Sequence, residues 1–196
     1  TEMADPKMIR DAVPRALASL KLEIANANVD GANENFMHET GIEDDDPKWD
    51  EKFAIWKEGY AQRRIGMAIG VITKGAEYRG GKMMVYRMVE VDAEEFLNGI
   101  NAGTTTRGLG EYWTWSRNDA QSYAGYGGDE VLLTGLVDPI AINWAQTILM
   151  NAHPSTDDEK EITIPEGTPI KILNIDMNGE LVDPSLYGGR GRVLPS

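Results

Sequence analysis

Apolar positions follow two different periods along this chain, and the change falls near Gly80. Before it, Ile9, Val13, Leu17, Leu20 and Ile24 recur at helical spacing and predict a helix over residues 6–28, with Pro14 at a first turn or a kink. Residues 26–41 are rich in Asn, Asp and Gly and read as loop. Glu43-Asp44-Asp45-Asp46 then brings negative charge ahead of Pro47, which suits a helix N-terminus. A second helix is expected from Pro47 to Ala68. Trp49, Phe53, Trp56 and Tyr60 fall at i, i+4, i+7 and i+11 on one face, a stripe that reads as core rather than as a ligand cage. Apolar residues continue from Ile65 to Ile72 across Gly66 and Gly70, where the helix either continues or breaks.

After the Gly80-Gly81 turn the pattern becomes that of short strands. Met83 to Val91 reads as one strand, with Val85, Arg87 and Val89 on a common face. A lone Arg among apolar neighbours needs an anion, a buried salt bridge or an edge that reaches water. Asp92 to Ile100 suggests a short helix. A Gly-bounded aromatic strand, Tyr112-Trp113-Thr114-Trp115, ends at Ser116, a natural N-cap for a helix carrying Ala120, Tyr123 and Ala124 inward. Beyond the Tyr126-Gly127-Gly128 loop come a strand from Glu130 to Val137, a helix from Pro139 to Met150, a loop from Asn151 to Asp158, a strand from Ile170 to Ile175 and a Gly- and Pro-rich tail from Asp183. Helices first and strands second imply an α+β chain: a helical N-terminal lobe over residues 1–75 and a β-rich core over 76–196, together one compact unit.

Composition narrows the chemistry. A net charge of −13 opposes nucleic acid or an anionic membrane as partner and favours a basic surface. The acids crowd residues 30–51, where Lys48 is the single base. With no cysteine and only His38 and His153, thiol catalysis is excluded and a multi-histidine metal site is not expected. No apolar run approaches the ~20 residues of a membrane-spanning helix, and no signal-peptide pattern stands out, so a soluble chain is expected.

The stretch Asp157-Asp158-Glu159-Lys160-Glu161-Ile162-Thr163-Ile164-Pro165-Glu166-Gly167-Thr168 carries most of the candidate chemistry. In an extended chain Glu159 and Glu161 share a face, roughly 6–7 Å apart, while Lys160 points away. Such a pair can divide labour, one carboxylate facing positive charge and the other handling a proton or nucleophile. On its own the same stretch also reads as a solvated approach to a strand in an acidic protein. Paired carboxylates are equally compatible with a carbohydrate hydrolase.

An arginine in a first core strand, a hydroxyl motif closing an aromatic strand, and Glu-x-Glu before a strand with Pro-x-Gly resemble, in that order, the Arg–Ser–Glu class of mono-ADP-ribosyltransferases. The resemblance covers roughly residues 80–178. It rests on Tyr86-Arg87, on Tyr112-Trp113-Thr114-Trp115-Ser116 with Ala120 and Tyr123, and on Glu159-Lys160-Glu161 with the strand that follows. The hydroxyl motif departs from the family's Ser-Thr-Ser, with Thr114 first and the indole of Trp115 in the middle. Arg79 competes with Arg87, which is preferred because it lies within the apolar strand. The resemblance implies a split mixed β-sandwich core around a nicotinamide cleft. It implies NAD as substrate, no metal, and transfer of ADP-ribose to a protein acceptor, arginine where a first Glu is present. It makes Glu161 the stabiliser of ribose charge, Ser116 the group that holds Glu161, and Glu159 the group that orients or deprotonates the acceptor. NAD binding falls to Arg87, Thr114, Trp115 and Tyr123, and target recognition to residues 151–158 including His153. Such a protein would act in the cytoplasm, or as a toxin or effector secreted or injected into a target cell. An NAD glycohydrolase on the same scaffold, or a binding module that has lost the chemistry, are the alternatives.

Overall fold

A computed structural model describes residues 6–25, 31–91, 110–123 and 127–182. Three helices open the chain: α1 (Pro6–Ala25), α2 (Ala32–Thr40) and α3 (Trp49–Gly75). β1 (Tyr78–Arg79), β2 (Lys82–Val91), β3 (Tyr112–Thr114), α4 (Arg117–Ser122), β4 (Asp129–Val137), a 3₁₀ turn (Pro139–Ala141), α5 (Trp144–Ala152), β5 (Glu161–Thr163), β6 (Ile170–Met177) and β7 (Glu180–Val182) follow. The architecture is α+β, as the order of periods implies.

The aromatic stripe behaves as core. Phe36 of α2, fully buried, meets Trp49 and Phe53 edge-on, and Trp56 stacks on Tyr60. Burying a ring of this size contributes about 1.5–3 kcal/mol. That packing explains α2, which lies inside the stretch expected to be loop. The segment has weak periodicity of its own and is helical because Phe36 and Ala32 are buried. α3 runs through Gly66 and Gly70 without a break and past the expected end at Ala68. Both glycines face open space, while Ala61, Ile65, Ala68 and Ile72 on another side enter the core. The expected helix over Asp92–Ile100 and the tail from Asp183 lie outside the described residues.

The sheet runs β5-β3-β2-β4-β6-β7, with β1 folded back on β2 as a hairpin whose turn glycines, Gly80 and Gly81, both have positive φ. Every pairing between the described strands is antiparallel and all belong to one sheet, where a mixed sheet split into a sandwich was expected. Short turns join β1 to β2 and β6 to β7, which obliges antiparallel pairing there. Alternation along the strands divides the sheet faces. Met83, Val85, Trp113, Val131, Leu133, Ile162 and Ile175 face α1, α3 and α5 and share one core with Leu20, Ile65, Ile72 and Ile148. That core draws on both sides of residue 75, so the helical lobe and the sheet are packed together. Tyr86 and Leu132 face the other way, under Ala120 of α4.

β5 is an edge strand, and α5 serves as its missing neighbour. Asn143 N–H donates to the Thr163 carbonyl at 3.0 Å, Thr163 N–H donates to Thr147 Oγ1 at 3.0 Å, and the Asn151 amide donates to the Glu161 carbonyl at 2.8 Å. Asn143, Thr147 and Asn151 recur at intervals of one helical turn, so a single polar stripe closes the sheet and fixes the strand that begins at Glu161.

Candidate functional site

The register aligns the site. Tyr86 pairs with Thr114, and Thr114 pairs with Glu161, so the three stand side by side on the face away from the helices. They line a cleft of about 340 Å³ together with Arg87, Met88, Tyr112, Trp113, Ala120, Tyr123 and Glu159. This is small-molecule size, at the low end of the usual range.

Glu161 is 6% exposed. Burial, reinforced by the charge of Glu159, pushes its carboxyl up to about 7. The opposing influence is Thr163, whose Oγ1 donates to Glu161 Oε2 at 3.4 Å. The two side chains are two apart on β5 and share its cleft-side face. Tyr123, half exposed on the rim, has its phenol raised by burial and by Glu159 and Glu161.

Glu159 reaches the same cleft by a different route from the extended geometry expected for Glu-x-Glu. The strand starts only at Glu161, and Lys160 has φ 51°, in the left-handed region. Glu159 therefore sits in a turn, its N–H donating to the Thr156 carbonyl at 3.1 Å. Lys160 turns away from the pair and binds Asp119 of α4 at 3.0 Å. Both glutamates still face the cleft.

Alternation assigns Arg87 to the side of Val85, yet its guanidinium lies along the seam where β3 leaves β2. β3 meets β2 at one register pair, Tyr86 with Thr114. Past it, Arg87 Nη1 donates to the Tyr112 carbonyl. Gly110, at φ +85°, comes so close that a Cβ there would lie 2.6 Å from Nη2. Nε is buried and has no hydrogen-bond partner among the described residues, and burial lowers the guanidinium from its usual range. Arg79 is exposed on the β1–β2 hairpin and does not line this cleft.

The hydroxyl motif divides. Thr114 lines the cleft. Trp115 is buried in the helix-side core, its indole against Gly75 at the end of α3. Ser116 caps α4, Oγ accepting from Asp119 N–H at 3.3 Å, and its hydroxyl favours the charged form of the Asp119 carboxyl. Burial raises that carboxyl, but Ser116 and Lys160 outweigh it and leave Asp119 below the usual range. Ser116 is not among the cleft-lining residues. His153 lies away from the cleft: Nε2 meets Glu23 of α1 at 3.0 Å and Nδ1 accepts from Ser155 N–H.

Sequence reasoning gave no place in the site to Tyr86 and Tyr112, which line the cleft, to Gly110, which packs on Arg87, or to Thr163, which bonds Glu161. Thr163 was open to discovery, since the alternation that joined Glu159 to Glu161 joins Glu161 to Thr163 more securely. The chain matches no protein-family model, no curated protein and no solved structure. Among the described residues no helix is long and apolar enough to cross a membrane.

Proposed function

We propose that this chain is a mono-ADP-ribosyltransferase, which cleaves the nicotinamide–ribose bond of NAD and passes ADP-ribose to a protein acceptor, arginine in the first instance. On this reading the sheet and its helical layer are a form of the ADP-ribosyltransferase core. The observation that carries it is the convergence on one cleft of Arg87 and the Glu159–Glu161 pair, which lies far from it in sequence. The sequence motifs supply the order of these residues, and the cleft supplies a common place of action.

The residues suit the chemistry. Arg87 presents a buried Nε, unpartnered among the described residues, that an NAD phosphate oxygen would satisfy through a charged hydrogen bond. Tyr86, Thr114 and Tyr123 would flank the nicotinamide half. As the C–N bond breaks, its electron pair leaves with nicotinamide and the ribose carbon takes positive charge. An ionised Glu161 carboxylate stabilises that charge more in the transition state than in the ground state. The acceptor nitrogen then bonds to the ribose carbon and gives up its proton to Glu159. The acidic balance of the chain favours an acceptor presented on a basic surface, without nucleic acid or membrane.

Labelled NAD incubated with the protein and a cell lysate tests this directly. Free nicotinamide and label retained on protein are both expected. Glu161→Gln should lower nicotinamide release on the order of a hundredfold or more, the effect of losing one transition-state contact of this kind. Undiminished release from Glu161→Gln, or none from the unaltered chain, would overturn the reading.

A further inference from the structure

Within the Arg–Ser–Glu resemblance, Ser116 is the side chain that steadies Glu161. The geometry gives Ser116 other work. Its hydroxyl caps the first turn of α4, accepting from Asp119 N–H at 3.3 Å. Asp119 is in turn bound to Lys160. Thr163, by contrast, is held on every side. Its N–H donates to Thr147 Oγ1 and its carbonyl accepts from Asn143 N–H, both on or at the cap of α5. The side chain is 5% exposed, and its hydroxyl has Glu161 Oε2 at 3.4 Å. Among the described residues no other hydrogen bond to that carboxylate is found.

We propose that Thr163 is the positioning residue for the Glu161 carboxylate, anchored through its backbone by Asn143 and Thr147 and acting through its hydroxyl. A hydroxyl donor favours the charged form of a carboxylate. Thr163 thereby opposes the burial and the Glu159 charge that hold Glu161 toward its neutral form. The other titratable groups facing the cleft are Tyr86 and Arg87 from β2, Tyr112 from β3, and Tyr123 after α4. Arg87 donates to the Tyr112 carbonyl and Lys160 is paired with Asp119, and among the described residues neither makes a hydrogen bond or ion pair to Glu161. The consequence for catalysis rests on the transferase reading, whereas the contact itself does not.

The test follows the carboxyl carbon of Glu161 by NMR through a pH titration of the full chain without NAD, with Glu161→Gln to assign the signal. Thr163→Val keeps the shape and β-branching of the side chain but removes the donor. It should raise the Glu161 midpoint by about one pH unit, a tenfold change in proton affinity, as fits the loss of a hydrogen bond to a charged group. Thr163→Ser should return the midpoint to the unaltered value. Ser116→Ala should leave it where it was. If Thr163→Val does not fold, Thr163→Ala carries the same expectation.

With NAD present, Thr163→Val should shift the acid limb of cleavage upward by the same amount. At pH 7 it should lower kcat about fivefold with little change in KM, as the ionised fraction falls from about one half to about one eleventh. An unmoved midpoint in the valine or alanine variant overturns the proposal, as does a midpoint moved equally by Ser116→Ala. Absence of NAD cleavage in the unaltered chain would count against the transferase reading alone, since the titration still decides the contact.

Discussion

The side-chain amide of Asn151 donates to the backbone carbonyl of Glu161 at 2.8 Å, and again to the Thr147 carbonyl at 2.8 Å. Both amide hydrogens are thereby used, and a helix residue takes the place of a neighbouring strand at the start of β5.

Asn151→Leu keeps the branched skeleton of the side chain, with methyl groups in place of the amide O and N, and leaves the Glu161 carbonyl buried without this donor. The expected loss is about 2 kcal/mol, within the usual range for an orphaned buried polar group. For a chain of this size that corresponds to a Tm lower by about 4–8 °C. Asn151→Asp should be worse above the pKa of the new carboxyl, because an acceptor would then face two acceptors. Thermal and urea unfolding measure both. A leucine variant as stable as the parent would mean that α5 does not brace β5 through this residue.

Glu161 makes stability depend on pH in a direction opposite to most carboxylates. Its folded-state value of about 7 lies above the ordinary 4.5, so between these two the folded chain holds more protons than the unfolded one. The stability is fully present below the ordinary value and is lost as pH rises through about 7. Glu161→Gln removes this dependence. The variant should gain on the parent across that window, by up to about 3 kcal/mol above it, and show no gain below it. Urea unfolding at several pH values gives the comparison, and a gain independent of pH would remove Glu161 as its source.

The residues that were legible in the sequence are those whose role is set within their own segment. Trp49, Phe53, Trp56 and Tyr60 declare a buried helix face by spacing alone, and Gly80-Gly81 declares a hairpin turn. The Asn178-Gly179 turn between β6 and β7 carries an equally clear local signal, an Asn-Gly pair at positive φ. What could not be read depends on distant partners. α2 exists because Phe36 finds the α3 aromatics. Trp115 goes to the core because Gly75, forty residues earlier, leaves room for its indole. Glu159 keeps its place beside Glu161 although Lys160 breaks the strand, because Asp119 and Thr156 hold the turn on either side. Local period places residues on faces. It does not reveal which element closes over them.

Arg87→Lys should weaken NAD binding, since an ammonium cannot span the Tyr112 carbonyl and a phosphate together as a guanidinium does. Gly110→Ala should weaken it too without touching the charge. Its Cβ would meet Nη2 at 2.6 Å, and φ +85° disfavours any side chain there. Arg79→Lys, on the exposed hairpin, should bind as the parent does. NAD dissociation constants for the three variants decide between the two arginines. Weaker binding in Arg79→Lys with Arg87→Lys unaffected would transfer the role to Arg79.

Glu159→Gln should separate cleavage from transfer. Glu161 is 6% exposed and belongs to β5, where Asn151 and Thr163 hold it. Glu159 is more open and belongs to the turn tied to the loop at residues 153–158, with Asp157 bound to Arg64 of α3 at 2.7 Å. Of the two carboxylates it is the one an incoming macromolecule meets. On the proposed transferase mechanism, breaking the nicotinamide bond depends on the charge at Glu161, so hydrolysis to free ADP-ribose should persist. It should even gain ionised catalyst near neutral pH, because losing the Glu159 charge lowers the Glu161 carboxyl from about 7. Transfer to arginine also needs a carboxylate to align the guanidinium and take its proton, so labelled protein should fall by about a hundredfold, within the range for losing a general base. Free nicotinamide and protein-bound label, counted in one reaction, report both activities. Equal loss of the two would assign Glu159 to NAD cleavage itself, and unchanged labelling would mean that the acceptor is not held by Glu159.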